Sequence, residues 1–313
     1  MAQEISTREA YGQTLVELGR KNPDIVVLDA DLSKTTMTQY FGKEFPNRFF
    51  NCGIAEQNMV TIAAGLASSG KIPFASTFAV FLPGRCFDQV RMTIAQPHMN
   101  VKLVTTHSGI SVGEDGISHQ SIEDLSLICA LPGFTVIAPA DAVETGKAIE
   151  AAVLTDGPFY IRLGRPAVPV IFPENYDFKI GKAVTMRQGN DVTIIAIGIM
   201  VKAALDAAET LKNEGIDARV INMSTLKPAD ITAITNAAKQ TGAIVTAEEH
   251  LEHGGLASIV SQVVVKNYPV PMEFVSMTGY AQSGKPGALL ERYGLTPSGI
   301  CQAVNKVLKR KST

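Results

Sequence analysis

Short, continuous apolar runs ending in polar residues recur along the first half of this chain, and helical stretches separate them. Ile25-Val26-Val27-Leu28 runs into Asp29-Ala30-Asp31, and Val101-Lys102-Leu103-Val104 into Thr105-Thr106-His107. Thr135-Val136-Ile137 leads to Pro139-Ala140-Asp141, and Phe159-Tyr160-Ile161-Arg162-Leu163 completes the set. A run with no polar alternation belongs to a strand buried on both faces. Between these runs, residues 6–20, 86–95, 121–130 and 142–154 read as helices, the first capped by Ser6 or Thr7. Strands alternating with helices predict a mostly parallel sheet covered on both sides. Ligands of such sheets collect beyond the carboxyl ends of the strands, where Asp31 and His107 fall.

From Pro166 to Asp191 the texture changes, with prolines and glycines punctuating a stretch of little periodicity. This stretch reads as an interdomain linker. A second alternating unit follows, with strands expected at 192–197, 218–223 and 243–246 and helices at 201–213, 229–240, 255–266 and 297–309. The expected organisation is therefore two α/β domains, each a mostly parallel sheet flanked by helices, at residues 1–168 and 191–313 with a linker at 169–190. A length of 313 residues accommodates both cores.

Composition removes several function classes. A net charge of −2 offers no electrostatic footprint for nucleic acid or an anionic membrane. The longest apolar run, near residues 194–201, is too short to span a bilayer, and the amino terminus has no signal-peptide pattern. Four scattered cysteines form no close pair, which fits a reducing cytoplasm and argues against disulfides or a zinc site.

Two stretches carry candidate chemistry. Asn51-Cys52-Gly53-Ile54-Ala55-Glu56-Gln57-Asn58-Met59 leads into a helix with Met59, Ile62, Ala63 and Leu66 at helical spacing. Glu56 would sit in its first turn, where the helix dipole favours a carboxylate. A carboxylate carried into an apolar site needs a partner or takes up a proton, which suits proton exchange with a buried ligand. The second stretch is the loop from Thr106 to Gln120, which holds His107, His119, Glu114 and Asp115 among glycines and serines. It lies between a strand and a helix, at an expected active-site rim. Two histidines twelve positions apart are not a metal-ligand spacing, and no metal site is expected in this chain. Helix capping by Ser118 or Ser121, with Glu114 and Asp115 as solvated loop charges, would explain the same residues without chemistry.

Gly53-Ile54-Ala55-Glu56-Gln57 followed by an apolar helix resembles the pyrimidine-binding region of thiamine diphosphate enzymes of the transketolase group. The loop Thr106-His107 … Gly113-Glu114-Asp115-Gly116 … Ser118-His119-Gln120 resembles that family's substrate loop, although the acid after His107 is missing and Ile117 replaces the usual proline. The resemblance implies that Glu56 hydrogen-bonds the aminopyrimidine ring of thiamine diphosphate and activates it. It implies that Phe78 and Phe81 stack on that ring and that Asp31 approaches it through water. Phe78 and Phe81, three residues apart, would by spacing alone be core packing. His107 and His119 are implied to bind the sugar and move protons, and Asp115 to contact a hydroxyl. Arg8, Thr35 and Arg165 align with contacts to the substrate phosphate, a role that guanidinium geometry suits.

The family also needs a diphosphate-binding domain with a Gly-Asp-Gly motif for Mg2+, and no Gly-Asp-Gly occurs here. The resemblance thus implies the C-terminal subunit of a split transketolase. A separate N-terminal subunit would hold Mg2+, and the two would assemble about a twofold axis as a heterotetramer. The implied reaction moves a two-carbon ketol unit between sugar phosphates. A 1-deoxyxylulose-5-phosphate synthase and the β subunit of a 2-oxo acid dehydrogenase share parts of the pattern, and a non-catalytic regulatory homologue is the alternative from another class. A dinucleotide-binding protein fits less well, because no Gly-x-Gly-x-x-Gly follows the first strand.

Overall fold

The computed structural model describes residues 3–311. The outermost residues assigned to the two domains, 1–2 and 312–313, lie outside the described residues.

The first domain is built on strands β2 (Ile25–Asp29), β3 (Phe49–Asn51), β4 (Ile72–Phe78), β5 (Lys102–Thr106), β6 (Thr135–Ile137) and β7 (Phe159–Arg162). They run parallel in the order β6-β7-β5-β4-β2-β3. Every residue of β2, β5 and β7 is buried, as expected of strands covered on both faces, and this includes the polar Asp29, Lys102 and Arg162. On one face, Tyr11 and Leu15 of the Thr7–Lys21 helix and Ile149 of the Ala142–Leu154 helix pack on Ile25, Phe74, Val104 and Ile161. Ser6 caps the first of these helices by accepting from the Glu9 amide (3.3 Å), and Asp141 caps the second through Glu144 (2.8 Å).

The second domain has strands β10 (Val192–Ala196), β11 (Ala218–Asn222), β13 (Ile244–Leu251) and β14 (Met272–Met277), parallel in the order β14-β13-β10-β11. Its edge is closed by the antiparallel β9 (Val184–Arg187). Two further elements tie the domains together. Strand β12 (Thr225–Lys227), from the second half of the chain, adds antiparallel to β6 and extends the first sheet to seven strands. One apolar core also runs through both domains, uniting Leu28, Met59, Ile94 and Leu103 with Ile195, Ile221, Leu226 and Val260.

The stretch at 169–190 is anchored rather than free. Besides β9, its backbone amides at Ile171 and Phe172 donate to Asp141 Oδ2 (2.7 and 2.8 Å), and Phe172 is buried. At its start, β8 (Ala167–Pro169) pairs antiparallel with β1 (Glu4–Ser6). The helix expected at 86–95 is a short turn, Phe87–Gln89, followed by a π-helix at Val90–Ala95. That expected at 121–130 shortens to Asp124–Cys129.

Candidate active site

The carboxyl ends of β2, β3, β4, β5 and β7 lie side by side, and each is followed within a few residues by a candidate side chain. Phe78 ends β4, and His107 follows β5. Glu56 opens the helix after β3, and Arg165 follows β7. Asp31 follows β2.

An aromatic cluster forms the centre. The His107 ring stacks on Phe78 at 3.8 Å between centroids, and Phe78 stacks on Phe81 at 5.7 Å. His119 approaches edge-on, 5.5 Å from Phe81 and 6.2 Å from Phe78. Phe78 is the last strand residue and Phe81 precedes a short helix at Leu82–Arg85, so the two rings meet across a chain reversal, not along one helix. His107 has a left-handed backbone (φ 59°), rare for a non-glycine residue, and this turns its ring onto Phe78. Its Nδ1 lies 2.8 Å from Thr106 Oγ1. Burial, with Arg8, Arg165 and His119 close by, holds its pKa down to about 3. His107 is therefore a neutral imidazole at physiological pH. His119 is half-buried, with Nδ1 2.9 Å from Ser118 Oγ.

Glu56 borders this cluster. Its residue is only 3 % exposed, and Oε1 accepts from Arg85 Nη1 at 2.8 Å. The Arg85 guanidinium lies over the Phe81 ring, 4.7 Å from its centroid. The carboxylate, the cation and the stacked rings thus form one continuous group. The helix that Glu56 opens buries Met59, Val60, Ala63 and Ala64. Ile62, expected to face inward, is instead 38 % exposed, so this helix keeps an open face.

A cationic mouth lies on the other side of His107. Arg8 Nη1 donates to the Thr35 carbonyl (2.8 Å), while its Nε is buried without a partner. Burial and the neighbouring Arg165 lower the Arg8 pKa. Arg165 donates to the Val112 carbonyl and to Asp115 Oδ2 (3.2 Å). Thr35 Oγ1 donates to the Leu32 carbonyl (2.8 Å). Two neighbouring guanidiniums, one with an unused buried donor, form a site that an anion would relieve.

Asp31 stands apart from the cluster: it is exposed, has φ 65°, and accepts from Asn51 Nδ2 (2.9 Å). Its buried neighbour Asp29 organises the anion side. Asp29 accepts from the Leu32 amide (2.6 Å) and from the hydroxyls of Thr36 (2.6 Å) and Thr38 (2.8 Å), fixing the turn that carries Thr35. Burial raises the Asp29 carboxyl pKa despite these bonds. Sequence reading passed over Asp29. The available signal was an acid closing a fully apolar run, with two threonines seven and nine positions on.

Among the described residues no group of three or more His, Cys, Asp or Glu side chains could hold a metal ion. A surface cleft of about 690 Å3 lies elsewhere, lined by Phe87, Arg91, His98 and Pro132, and none of the candidate residues borders it.

Residues 3–170 match the pyrimidine-binding domain of transketolase, and residues 181–300 match the transketolase C-terminal domain. A chain of Methanocaldococcus jannaschii, provisionally described as a transketolase C-terminal section, is 44% identical over 97% of this chain and 96% of its own length. Human transketolase is 41% identical over 98% of this chain, which spans only 49% of that longer protein. Among solved structures, a split gene transketolase in an inactive beta4 tetramer superposes with a TM-score of 0.93. It is 51% identical and covers 98% of this chain and 99% of its own.

Proposed function

The chain belongs to the transketolase family and corresponds to its C-terminal section, and from that premise we propose that it is the C-terminal subunit of a two-chain transketolase, active only with an N-terminal subunit. The observation that carries this reading is the meeting of buried Glu56, the Phe78–Phe81–His107–His119 ring cluster and the Arg8–Arg165 pair at one edge of the sheet.

These residues fit thiamine diphosphate. A buried carboxylate beside two stacked aromatic rings offers a flat apolar bed with one acidic edge, suited to an aminopyrimidine. Glu56, Phe78 and Phe81 would hold that ring, and Asp31 would reach it through water. Mg2+ and the diphosphate fall to the partner chain. Thiamine diphosphate, when bound, supplies the carbanion chemistry by which a two-carbon ketol unit passes from a ketose phosphate to an aldose phosphate.

The chain's own residues position and move protons. Glu56 holds the proton exchanged with the aminopyrimidine edge, and Arg85 offsets its charge when it is ionised. His107, neutral, has Nδ1 engaged by the Thr106 hydroxyl, which leaves Nε2 to hold a sugar carbonyl or hydroxyl without adding charge. His119, half-buried at the rim, carries protons between substrate and solvent. Asp115 takes a sugar hydroxyl. Arg8, Arg165 and the Thr35 turn bind the terminal phosphate, with the free Arg8 Nε as a donor in waiting. The open side of the site is closed by the partner about a twofold axis, giving a heterotetramer in the cytoplasm.

Reconstitution tests this. The chain is mixed with an N-terminal transketolase subunit, Mg2+ and thiamine diphosphate, and transfer from xylulose 5-phosphate to ribose 5-phosphate is followed. Activity should require both chains and fall about 10²–10⁴-fold in Glu56→Gln, the range of a lost general acid–base group. Condensation of pyruvate with glyceraldehyde 3-phosphate, or turnover that needs a lipoyl partner, would replace the proposal. Failure to bind the cofactor even with the partner present would make the chain a non-catalytic homologue.

A further inference from the structure

The loop that carries His107 and His119 has little regular structure, yet it is held at its base by a residue from the other domain. Glu249, on β13, sends its carboxylate under the loop. Oε1 accepts from the Ser111 amide (2.5 Å) and Oε2 from the Ser111 hydroxyl (3.2 Å). The residue is 5 % exposed. Gly109, with φ 74°, lies directly against it: a Cβ there would come within 2.1 Å of the Glu249 carboxyl carbon. Only glycine combines that backbone with that approach. The loop's base and the carboxylate are shaped to each other.

The clamp continues on both sides. Arg162, paired with buried Asp124 (2.8 Å), donates through Nη2 to the Glu249 carbonyl (3.0 Å) and to the Ser121 carbonyl at the loop's far end (3.1 Å). Toward the tip, Ser283 Oγ donates to the Glu114 carbonyl (2.5 Å), and Gln120 Nε2 donates to the Gln282 carbonyl (2.9 Å). The Glu249 contact engages both the amide and the hydroxyl of Ser111, four residues after His107, and so fixes the loop's base at two points.

We propose that Glu249 is a positioning residue: the second domain uses its carboxylate to fix the Gly109–Ser111 turn, and through it the placement of His107 on Phe78. This deepens the proposed function, on which it rests, by giving the C-terminal domain a part in substrate binding although it contributes no side chain to the ring cluster.

Glu249→Gln turns the oxygen that accepts from the Ser111 hydroxyl into an amide nitrogen that can only donate, so this contact must reverse and the turn shifts. The test follows the His107 ring proton by NMR across pH in the isolated chain. Wild type should titrate near 3, and the variant should move up toward the ordinary histidine range as the ring leaves its site. Ser111→Ala, which loses only the hydroxyl contact, should move it in the same direction by less. Should Glu249→Gln fail to fold, Ser111→Ala decides alone. Glu248→Gln is the control, because the Glu248 carboxylate instead accepts from the Leu256 and Ala257 amides (both 2.7 Å), away from the loop. It should leave His107 where it was. In the reconstituted enzyme, Glu249→Gln should raise KM for the ketose phosphate about tenfold and change kcat less, the pattern of lost positioning in the ground state. An unmoved His107 in the Glu249 and Ser111 variants, or an equal movement in the Glu248 control, overturns the proposal. The NMR arm needs no partner and no turnover, so it stands even if wild-type reconstitution shows no ketol transfer.

Discussion

The histidine at the centre of the site is tuned by burial, and this has a consequence for stability. His107 titrates near 3 in the folded chain, against about 6.5 in an unfolded one. Between those values the unfolded state binds a proton that the folded state does not, so His107 makes stability fall as pH drops from 6.5 toward 3. His250, fully buried with its pKa lowered to about 4, acts in the same direction. Glu144 and Glu248, raised by burial to about 7, act oppositely: their contribution is complete below about 4.5 and is lost as pH rises through 7. The net curve mixes these signs, and a difference between variants isolates one of them. Urea midpoints measured from pH 4 to 7 should decline less steeply on acidification in His107→Asn than in wild type, by at most about 1.4 kcal/mol per pH unit. An unchanged slope would mean that His107 accepts a proton freely in the fold. The sequence made His107 visible as a candidate through its neighbours. Its neutrality came from packing on Phe78 beneath two arginines, which no local pattern encodes.

At the scale of elements, the legible strands were those whose own residues dictate burial. β2, β5 and β7 are built around short apolar runs and were read at nearly their observed limits. β12 escaped because its partner β6 lies about ninety residues back in the other sheet, and three residues that pair only across a domain border leave no periodicity. β4 escaped because Ser76 and Thr77 break its apolar run; both are wholly buried, and Ser76 is satisfied by the Tyr11 hydroxyl at 2.7 Å. Glu249 is equally hidden in sequence: nothing in Glu248-Glu249-His250 shows that its carboxylate reaches a loop 138 positions away. Lys102, the one charged residue in the run that became β5, is wholly buried. Its Nζ donates to the carbonyls of Thr155 (2.8 Å) and Gly157 (2.9 Å), and burial lowers its pKa to about 7. It pins the turn before β7 at the amino end of β5, opposite the active site. Lys102→Met keeps the volume and strands two acceptors, which should cost about 1–3 kcal/mol in chemical denaturation while leaving reconstituted kcat and KM unchanged. A stability loss accompanied by an equal activity loss would mean that strain crosses the strand to His107.

The whole molecule shows two treatments of its surface. The interface between its domains is sealed by a shared apolar core and bordered by hydrogen bonds such as Glu249 to Ser111, whereas the rim around Glu56 leaves large apolar side chains uncovered. Ile54 is 81 % exposed, Phe50 40 % and Ile62 38 %, and all three lie on the β3 edge or in the turn and helix that follow it. Gln57, Asn58, Thr61 and Gly65 share this open face, so the sheet's end and the first three turns of the helix present a mixed surface rather than a solvated one. Apolar groups grouped around a site that lacks one wall mark a contact, and the proposed reading supplies its occupant: the partner subunit that brings the diphosphate and Mg2+. Because Ile54 touches little within its own chain, Ile54→Glu should leave the circular-dichroism spectrum of the isolated subunit unchanged. The charge would then be forced into the contact, where an unpaired buried carboxylate costs several kcal/mol. Sedimentation of the mixed subunits should show the complex lost, and ketol transfer should vanish with it. A complex that forms normally but is inactive would move Ile54 from the interface to the cofactor bed. A normal and active complex would place the partner on another face of this chain.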